Sequence, residues 1–537
     1  MKKISYVFMG ALMAASVCAF SGCNEEVSNN VEMDYYEIKI ACQSEESEQE
    51  VMKELIAAYQ EKYSNVVINL ESFTGKDFEV FMNQVAQDPN NSPHIIWTSD
   101  TYHARWEQYF TDLRPYYERD AETDYSLYYS SMLDTASING YFKPTKNYTG
   151  EFRSDELDSS DGLEDYMHHS QYGLYFAPRD YNKPTILCNT ALFEMLDEQY
   201  EEYYMASEGV SEMPAEYVST TARLNAIVGG ENWDDLTDLF TFSKAAAEKI
   251  QYILEYAGNL GAKGQKVVKQ WQYKTVLDLK LGWEPSYTTI LNALGVENII
   301  NSDGTLNLEA NTEALEQLHG YMYAEDNLYY SDVDDTNFKN GETFMRVVSR
   351  PVVLGYSNNL NKVYADYYQE HGRTPLQAIR IPVQEIAGGC SGYAINSIYE
   401  GKGITVNGVY KSYADICWDF IKFIITEEGQ EIAGATGSNI PVLKSLYSAE
   451  TNGGETPAWR KVEGLESMDQ DAWLAGEELK QDWFNVYKAN YRIKFRSTIE
   501  TFFRGFQRKD YNGGSLSELI RKTNDSYNAA NPTENLR

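Results

Sequence analysis

"YEIKIACQSEESEQEVMKELIAAYQEKYSNVVINLES", residues 36–72, contains two different hydrophobic periods. In Tyr36–Cys42 apolar and polar residues alternate, as in a strand with one buried face. Further on, Val51, Leu55, Ala58, Tyr59 and the Lys62 stem fall on one face of a helix. Asn65–Ser72 returns to a strand pattern. The order then repeats. "KDFEVFMNQVAQ" (76–87) sets Phe78, Phe81, Met82 and Val85 at helical spacing, and "PHIIWTSD" (93–100) reads as a third strand ending near Trp97. Strand, helix, strand, helix, strand predicts a parallel α/β sheet with right-handed crossovers. Ligands of such sheets bind beyond the carboxyl ends of the strands. Those ends carry Gln43-Ser44-Glu45, Phe73-Thr74 and Trp97-Thr98-Ser99-Asp100.

Upstream, Lys2 and Lys3 precede an apolar run over roughly residues 7–20, interrupted by Gly10 and Ser16. It falls short of the about 20 residues that span a bilayer. A basic start, a short apolar core and small residues at the break describe a secretory signal. The run ends Phe20-Ser21-Gly22-Cys23, which resembles the lipobox of bacterial lipoproteins, although Leu is usual where Phe20 stands. The resemblance implies a signal peptide over 1–22, a diacylglycerol on the Cys23 thiol and a polar tether over 23–36. The alternative is an unlipidated secreted protein in which Cys23 is incidental.

The 537 residues suffice for two or more domains. Lys plus Arg number 45 against 81 Asp plus Glu, a net charge of −36 that repels phosphate backbones and speaks against nucleic acid as a partner. Hydrophobic content of 43% and aromatic content of 14% argue for packed structure rather than acidic disorder. Tyrosine, at 43 residues, joins a flat apolar face to a hydroxyl and suits polar ligands. Beyond Cys18 and Cys23 the cysteines are Cys42, Cys188, Cys390 and Cys417. They have no C-x-x-C spacing and sit mostly in apolar segments, as small hydrophobes do.

Enzyme signatures fail on inspection. "GCSGY" has Tyr393 where G-x-S-x-G needs its last glycine, and neither H-E-x-x-H nor a P-loop occurs. His168-His169 lie in a polar, acidic stretch (145–170) that reads as a surface insertion, and "DVDDTNFKNGE" (332–342) lacks the glycine of a calcium loop. The sequence therefore assigns no catalytic residue, no metal and no cofactor.

Later segments extend the α/β pattern. "YGLYFAPRDYNKPTILCN" (172–189) reads as two strands broken at Pro178, "NWDDLTDLFTFSKAAAEKI" as a helix, and "RPVVLGYSNNL" as a strand running into Gly355-Tyr356. "GGCSGYAINS" is a glycine-rich loop into a strand. "YADICWDFIKFIITEEGQEIAGATG" is a periodic helix, and the chain from Lys461 reads as mostly helical. In this order, the pieces resemble the extracellular solute-binding proteins of bacterial ABC importers, in the sugar-binding family that includes maltose-binding protein. The resemblance covers about residues 36–447; the insertions near 145–170 and 197–230 and the tail after 450 depart from it.

The resemblance implies two α/β lobes, a hinge crossed more than once and an interlobe cleft that closes on ligand. It places 37–140 and 341–382 in the first lobe, 141–340 and 383–450 in the second, and a helical region over 451–537. It also implies an ABC permease as partner, a sugar or oligosaccharide as ligand and a lipid anchor at the cell surface. Matching segment positions nominates Glu45, Trp97, Asp100, Asp180, Tyr181, Trp283, Tyr356 and Tyr393 as ligand-binding residues. Against each stands a plainer role, such as a core Trp, a capping Asp or packing glycines beside Tyr393. Two other classes remain open: a surface glycosidase or other hydrolase, and a structural or adhesive lipoprotein.

Overall fold

The computed structural model describes residues 34–44, 46–74, 78–100, 102, 106–137, 142–145, 173–301, 303–323, 335–476, 478–480, 489–507, 511 and 514–531. Glu45, Cys23, the signal and most of the tether, His168-His169 and nearly all of the 145–170 insertion lie outside the described residues.

The opening pattern folds as its periods require. β1 (Tyr36–Gln43), the helix Glu46–Lys62, β2 (Val66–Phe73), the helix Phe78–Gln87 and β3 (Ile95–Ser99) follow in order. β1 pairs parallel with both β2 and β3. β4 (Ala177–Asn182) lies at the opposite edge of this sheet. β5 (Thr185–Asn189), β6 (Thr275–Asp278), β7 (Thr343–Val348) and β8 (Leu376–Arg380) form a second sheet, in the order β6-β7-β5-β8. After β9 (Ile386–Ala387), β10 (Gly389–Ile395) returns to the first sheet, antiparallel to β3 and β4, completing the order β2-β1-β3-β10-β4. β11 (Gly403–Val406) and β12 (Val409–Ser412) form a separate hairpin, and β13 (Leu479–Lys480) pairs parallel with β9.

The molecule has two cores, and the second sheet lies between them: Leu187, Val348, Leu376 and Ala378 face the first, while Ile186, Met345, Val347 and Ile379 face the second. The first contains Ile38, Ile40, Ile95, Trp418, Ile421 and Ile424; the second contains Leu239, Ile250, Leu277, Val347 and Phe503. In strand pairing, though not in core packing, the returning segments differ from the sequence expectation. β7 and β8, within 341–382, belong to the second sheet, while β10 and the helices Tyr413–Ile425 and Glu427–Ala435, within 383–450, complete the first lobe. β4 also belongs to the first sheet, so that lobe extends past 140 to Asn182. Strand order is decided by pairings hundreds of residues apart, which local periodicity does not encode.

Three local expectations change as well. The break between β4 and β5 falls at Lys183-Pro184, and Pro178 sits inside β4. β4 is an edge strand, where a missing N–H does not disrupt the ladder. "RPVVLGYSNNL" is a 3₁₀ turn, Arg350–Val352, leading into the helix Val353–Val363, with its proline near the first turn, where proline is tolerated. In the tail, residues 461–476 are turns with a single 3₁₀ turn at Asp471–Trp473, and they bury Leu465 and Trp473 in the first core. Helices occupy Ala489–Gln507 and Leu516–Ala530, and these pack on the second lobe.

The chain crosses between lobes at 182–185 and at 380–386, and a third connection leads from Leu479–Lys480, beside the first core, to the helix Ala489–Gln507 of the second. The second and third crossings are joined by the β9–β13 pair, in which Ile386 N–H donates to Glu478 O (2.9 Å) and Gly388 N–H to Lys480 O (2.8 Å).

Candidate functional site

The free ends of β3, β4 and β10 face the second lobe across a cavity of about 320 Å³. From the first lobe come Gln43, Glu48, Trp97, Ser99 and Asp100, with Asp180, Asn182 and Gly389–Ser391 beside them. The second lobe contributes Trp283, Glu284, Pro285, Ser349, Pro351 and Arg496. The volume lies at the low end of the about 300–1,000 Å³ usual for ligand pockets.

The centre of this site is a residue that sequence reasoning did not nominate. Along β4, Asp180 lies opposite Ser391 while Pro178 lies opposite Gly392, so Arg179 is the extra residue of a β-bulge. In a regular strand Arg179 and Asp180 would face opposite sides. The bulge lets both line the cavity. Gly392 makes this possible, because a Cβ there would meet Ala177 O at 1.8 Å and Arg179 N at 3.1 Å.

The Arg179 guanidinium is 2% exposed. Nη1 and Nη2 donate to the two Glu48 oxygens at 2.7 and 2.9 Å, Nε donates to Asp180 Oδ2 at 3.0 Å, and Nη2 also donates to Asn439 Oδ1 at 2.8 Å. Burial opposes its charge, but the carboxylates of Asp180 and Glu48 more than offset this and hold the guanidinium pKa well above its ordinary value.

The nominated residues divide. Trp97, Asp100, Asp180 and Trp283 line the cavity. Trp97 is also a core residue, 7% exposed and ringed by Phe73, Phe78 and Tyr102 at centroid distances of 6.2–6.3 Å. Asp100 lies against β10 where only glycine fits, since a Cβ on Gly389 would sit 2.0 Å from Asp100 Oδ2. The Ser391 hydroxyl donates to Asp180 Oδ1. Trp283 is half-buried and immediately precedes the helix Glu284–Ala293, with Lys280 Nζ 4.6 Å from its ring centroid. Burial, reinforced by Arg346, brings the Lys280 ammonium down to about 8.

Three nominated residues lie outside the cavity lining. Tyr181 follows Asp180 on the strand and points to the other side, where its hydroxyl donates to Trp473 O (3.1 Å) and accepts from Ala475 N–H (2.8 Å). Tyr393 is fully buried behind the cavity. Its hydroxyl accepts from Arg179 Nη1 at 2.9 Å and donates to Glu48, so it helps hold the arginine in place. Tyr356 lies in the helix Val353–Val363, 3% exposed, against the Phe338 ring at 5.2 Å and away from the cavity lining. Sequence reading missed Glu48, Arg179, Ser391, Asn439, Glu284 and Arg496. A polar residue next to a nominated one was the available signal for Arg179 and Glu284. Asn439 and Arg496 carried none.

Among the described residues no cluster of His, Cys, Asp and Glu has the arrangement of a metal site, and no helix is long and apolar enough to cross a membrane. Cys42, Cys188, Cys390 and Cys417 are buried free thiols.

Comparison with known proteins agrees with this architecture. The GacH receptor of Streptomyces glaucescens is similar in structure, with a TM-score of 0.52 and 13% identity over 92% of this chain and 98% of that one. The sugar-binding protein MalE from Xanthomonas citri gives 0.53 and 12%, over 91% and 96%. The substrate-binding protein Lmo0181 from Listeria monocytogenes gives 0.51 and 13%, over 93% and 99%. No curated protein matches the sequence. At these identities the likeness establishes the two-lobed binding-protein fold. The profile of a family described as bacterial extracellular solute-binding protein matches residues 54–459, most of the chain, and the chain belongs to that family.

Proposed function

We propose that the protein captures a carbohydrate, an oligosaccharide, in the interlobe cleft and delivers it to an ABC permease for import. The observation that carries this reading is the lining itself. Tryptophans from both lobes, Trp97 and Trp283, stand beside carboxylates and guanidiniums. Sugars present apolar C–H faces and hydroxyls that both donate and accept, and this lining offers a partner for each. Similar structures support it: GacH is described in complex with acarbose, and Lmo0181 with cycloalternan. Ligand touching both lobes favours the closed arrangement over the open one, which gives a permease a state to recognise.

Residues 1–22 act as the export signal, and Cys23 carries the lipid that holds the protein at the outer face of the plasma membrane. Anchoring raises the receptor's effective concentration near its transporter without any new contact. Titration calorimetry with a panel of neutral di- to tetrasaccharides tests the binding reading, with one saturable site expected. Heat indistinguishable from dilution across the panel overturns it. For the anchor, Cys23→Ala should release the protein from membranes or block processing; a mature wild-type N-terminus without acyl mass refutes it.

A further inference from the structure

We infer that Arg496, carried by a helix beyond the family match, is a specificity-determining residue of the second lobe and, with Glu284, grips adjacent hydroxyls of a sugar that bears no acidic group. This rests on the carbohydrate reading above and narrows it.

The family match ends at residue 459, yet the helix Ala489–Gln507 forms part of the cleft wall through Arg496. The placement is built, not incidental. Phe495, Ile499, Phe502, Phe503 and Phe506 are buried in the second core. Phe503 stacks on Tyr287 at 4.8 Å, and Tyr287 belongs to the helix that begins at Glu284. A buried ring pair therefore fixes the two helices against each other. Arg496, the residue after Phe495, projects about 100° round the helix from that buried face, toward the cleft. Its Nε lies 2.9 Å from Glu500 Oε1 and 3.8 Å from Glu284 Oε1.

The chemistry follows from this pairing. A guanidinium only donates and a carboxylate only accepts, whereas a sugar hydroxyl does both. Side by side, Arg496 and Glu284 serve two neighbouring hydroxyls with charge-assisted hydrogen bonds. Charge decides which sugars qualify. The lining carries the carboxylates Glu48, Asp100, Asp180 and Glu284 but only the guanidiniums Arg179 and Arg496, and each guanidinium already stands against carboxylates: Arg179 against Glu48 and Asp180, Arg496 against Glu500 and Glu284. A uronate would add a further negative charge to a lining in which carboxylates outnumber guanidiniums, and this selects against it.

The test uses the full mature chain and titration calorimetry with maltotriose, cellotriose, xylotriose and mannotriose, and with trigalacturonate as the acidic probe. At least one neutral trisaccharide should bind, and trigalacturonate should bind it about tenfold or more weaker than the best of them. Arg496→Gln should weaken the best neutral probe about tenfold or more, with the melting temperature of the empty protein within about 2 °C of wild type. Glu284→Gln should weaken the same probe. Trigalacturonate binding more tightly than every neutral probe, or Arg496→Gln binding within twofold of wild type, overturns the inference while the carbohydrate reading stands. If none of the probes binds, that reading fails and the inference fails with it.

Discussion

Lys183 lies on the first crossing between the lobes and is buried, and burial brings its ammonium down from 10.5 to about 8. Glu478 and Asp469 pull the value back up, and Arg380 pushes it further down. In the unfolded chain the lysine keeps its proton to about 10.4. Between pH 8 and pH 10.5 the unfolded state therefore binds more protons than the folded state. Stability contributed by this group rises with pH across that window and is absent below it. Integrating the difference from pH 7 to pH 9.5 gives about 2 kcal/mol.

Lys183→Met keeps a long flexible side chain and removes the titration. Urea unfolding of both proteins at the two pH values supplies four free energies. The variant's advantage over wild type, or its deficit, should shift by about 2 kcal/mol toward wild type at the higher pH. Every group common to both proteins cancels in this comparison. A shift below about 0.5 kcal/mol would mean that the hinge lysine is solvated in the folded state and that the burial argument is wrong.

Trp97→Ala should destabilise the empty protein by about 3–5 kcal/mol because that ring is core as well as lining. Trp283→Ala should leave the melting temperature nearly unchanged and weaken sugar binding about tenfold; a destabilised variant whose folded fraction binds normally would remove Trp283 from the site. Arg179→Met strands Glu48 and Asp180 and should cost about 3–5 kcal/mol in denaturant unfolding, a loss that Glu48→Gln with Asp180→Asn in the same chain should partly restore. Gly389→Ala places a methyl on the Asp100 carboxylate, so calorimetry should show weakened binding, with a stability loss of about 1–3 kcal/mol.

The parts of this fold legible in the sequence are those set by local period. β1 to β3 and their two helices formed where alternation and helical spacing placed them, and the strand-end rule led directly to Trp97 and Asp100. On β4, Asp180 and Tyr181 came from the family resemblance, and only Asp180 lines the cavity. There the pleat turns Tyr181 away, and a bulge, invisible in composition, turns Arg179 inward. Tyr356 was misplaced because a β-branched Val352-Val353 pair beside a proline imitates a strand, whereas the polar residues after it continue as a helix. Arg179 has Glu48 as a partner 131 positions away and Asn439 as another 260 away, so nothing local distinguishes it from a surface arginine. The unexpected strand pairing of the returning segments has the same origin.

Gly388 touches two crossings at once. A Cβ there would meet Asn182 O, on the first, at 2.5 Å and Leu479 Cδ1, on the third, at 2.6 Å, while the Gly388 N–H is bonded to Lys480 O. Three ribbons that leave one lobe separately are thus laced side by side before they reach the other. Strips fastened edge to edge act as a flexure: they bend readily about one line and resist twisting and sliding. Lobes joined in this way would move against each other chiefly through a single angle. A ligand that closes that angle at the cleft sets the positions of surfaces far from it, because the lobes are left with little other freedom.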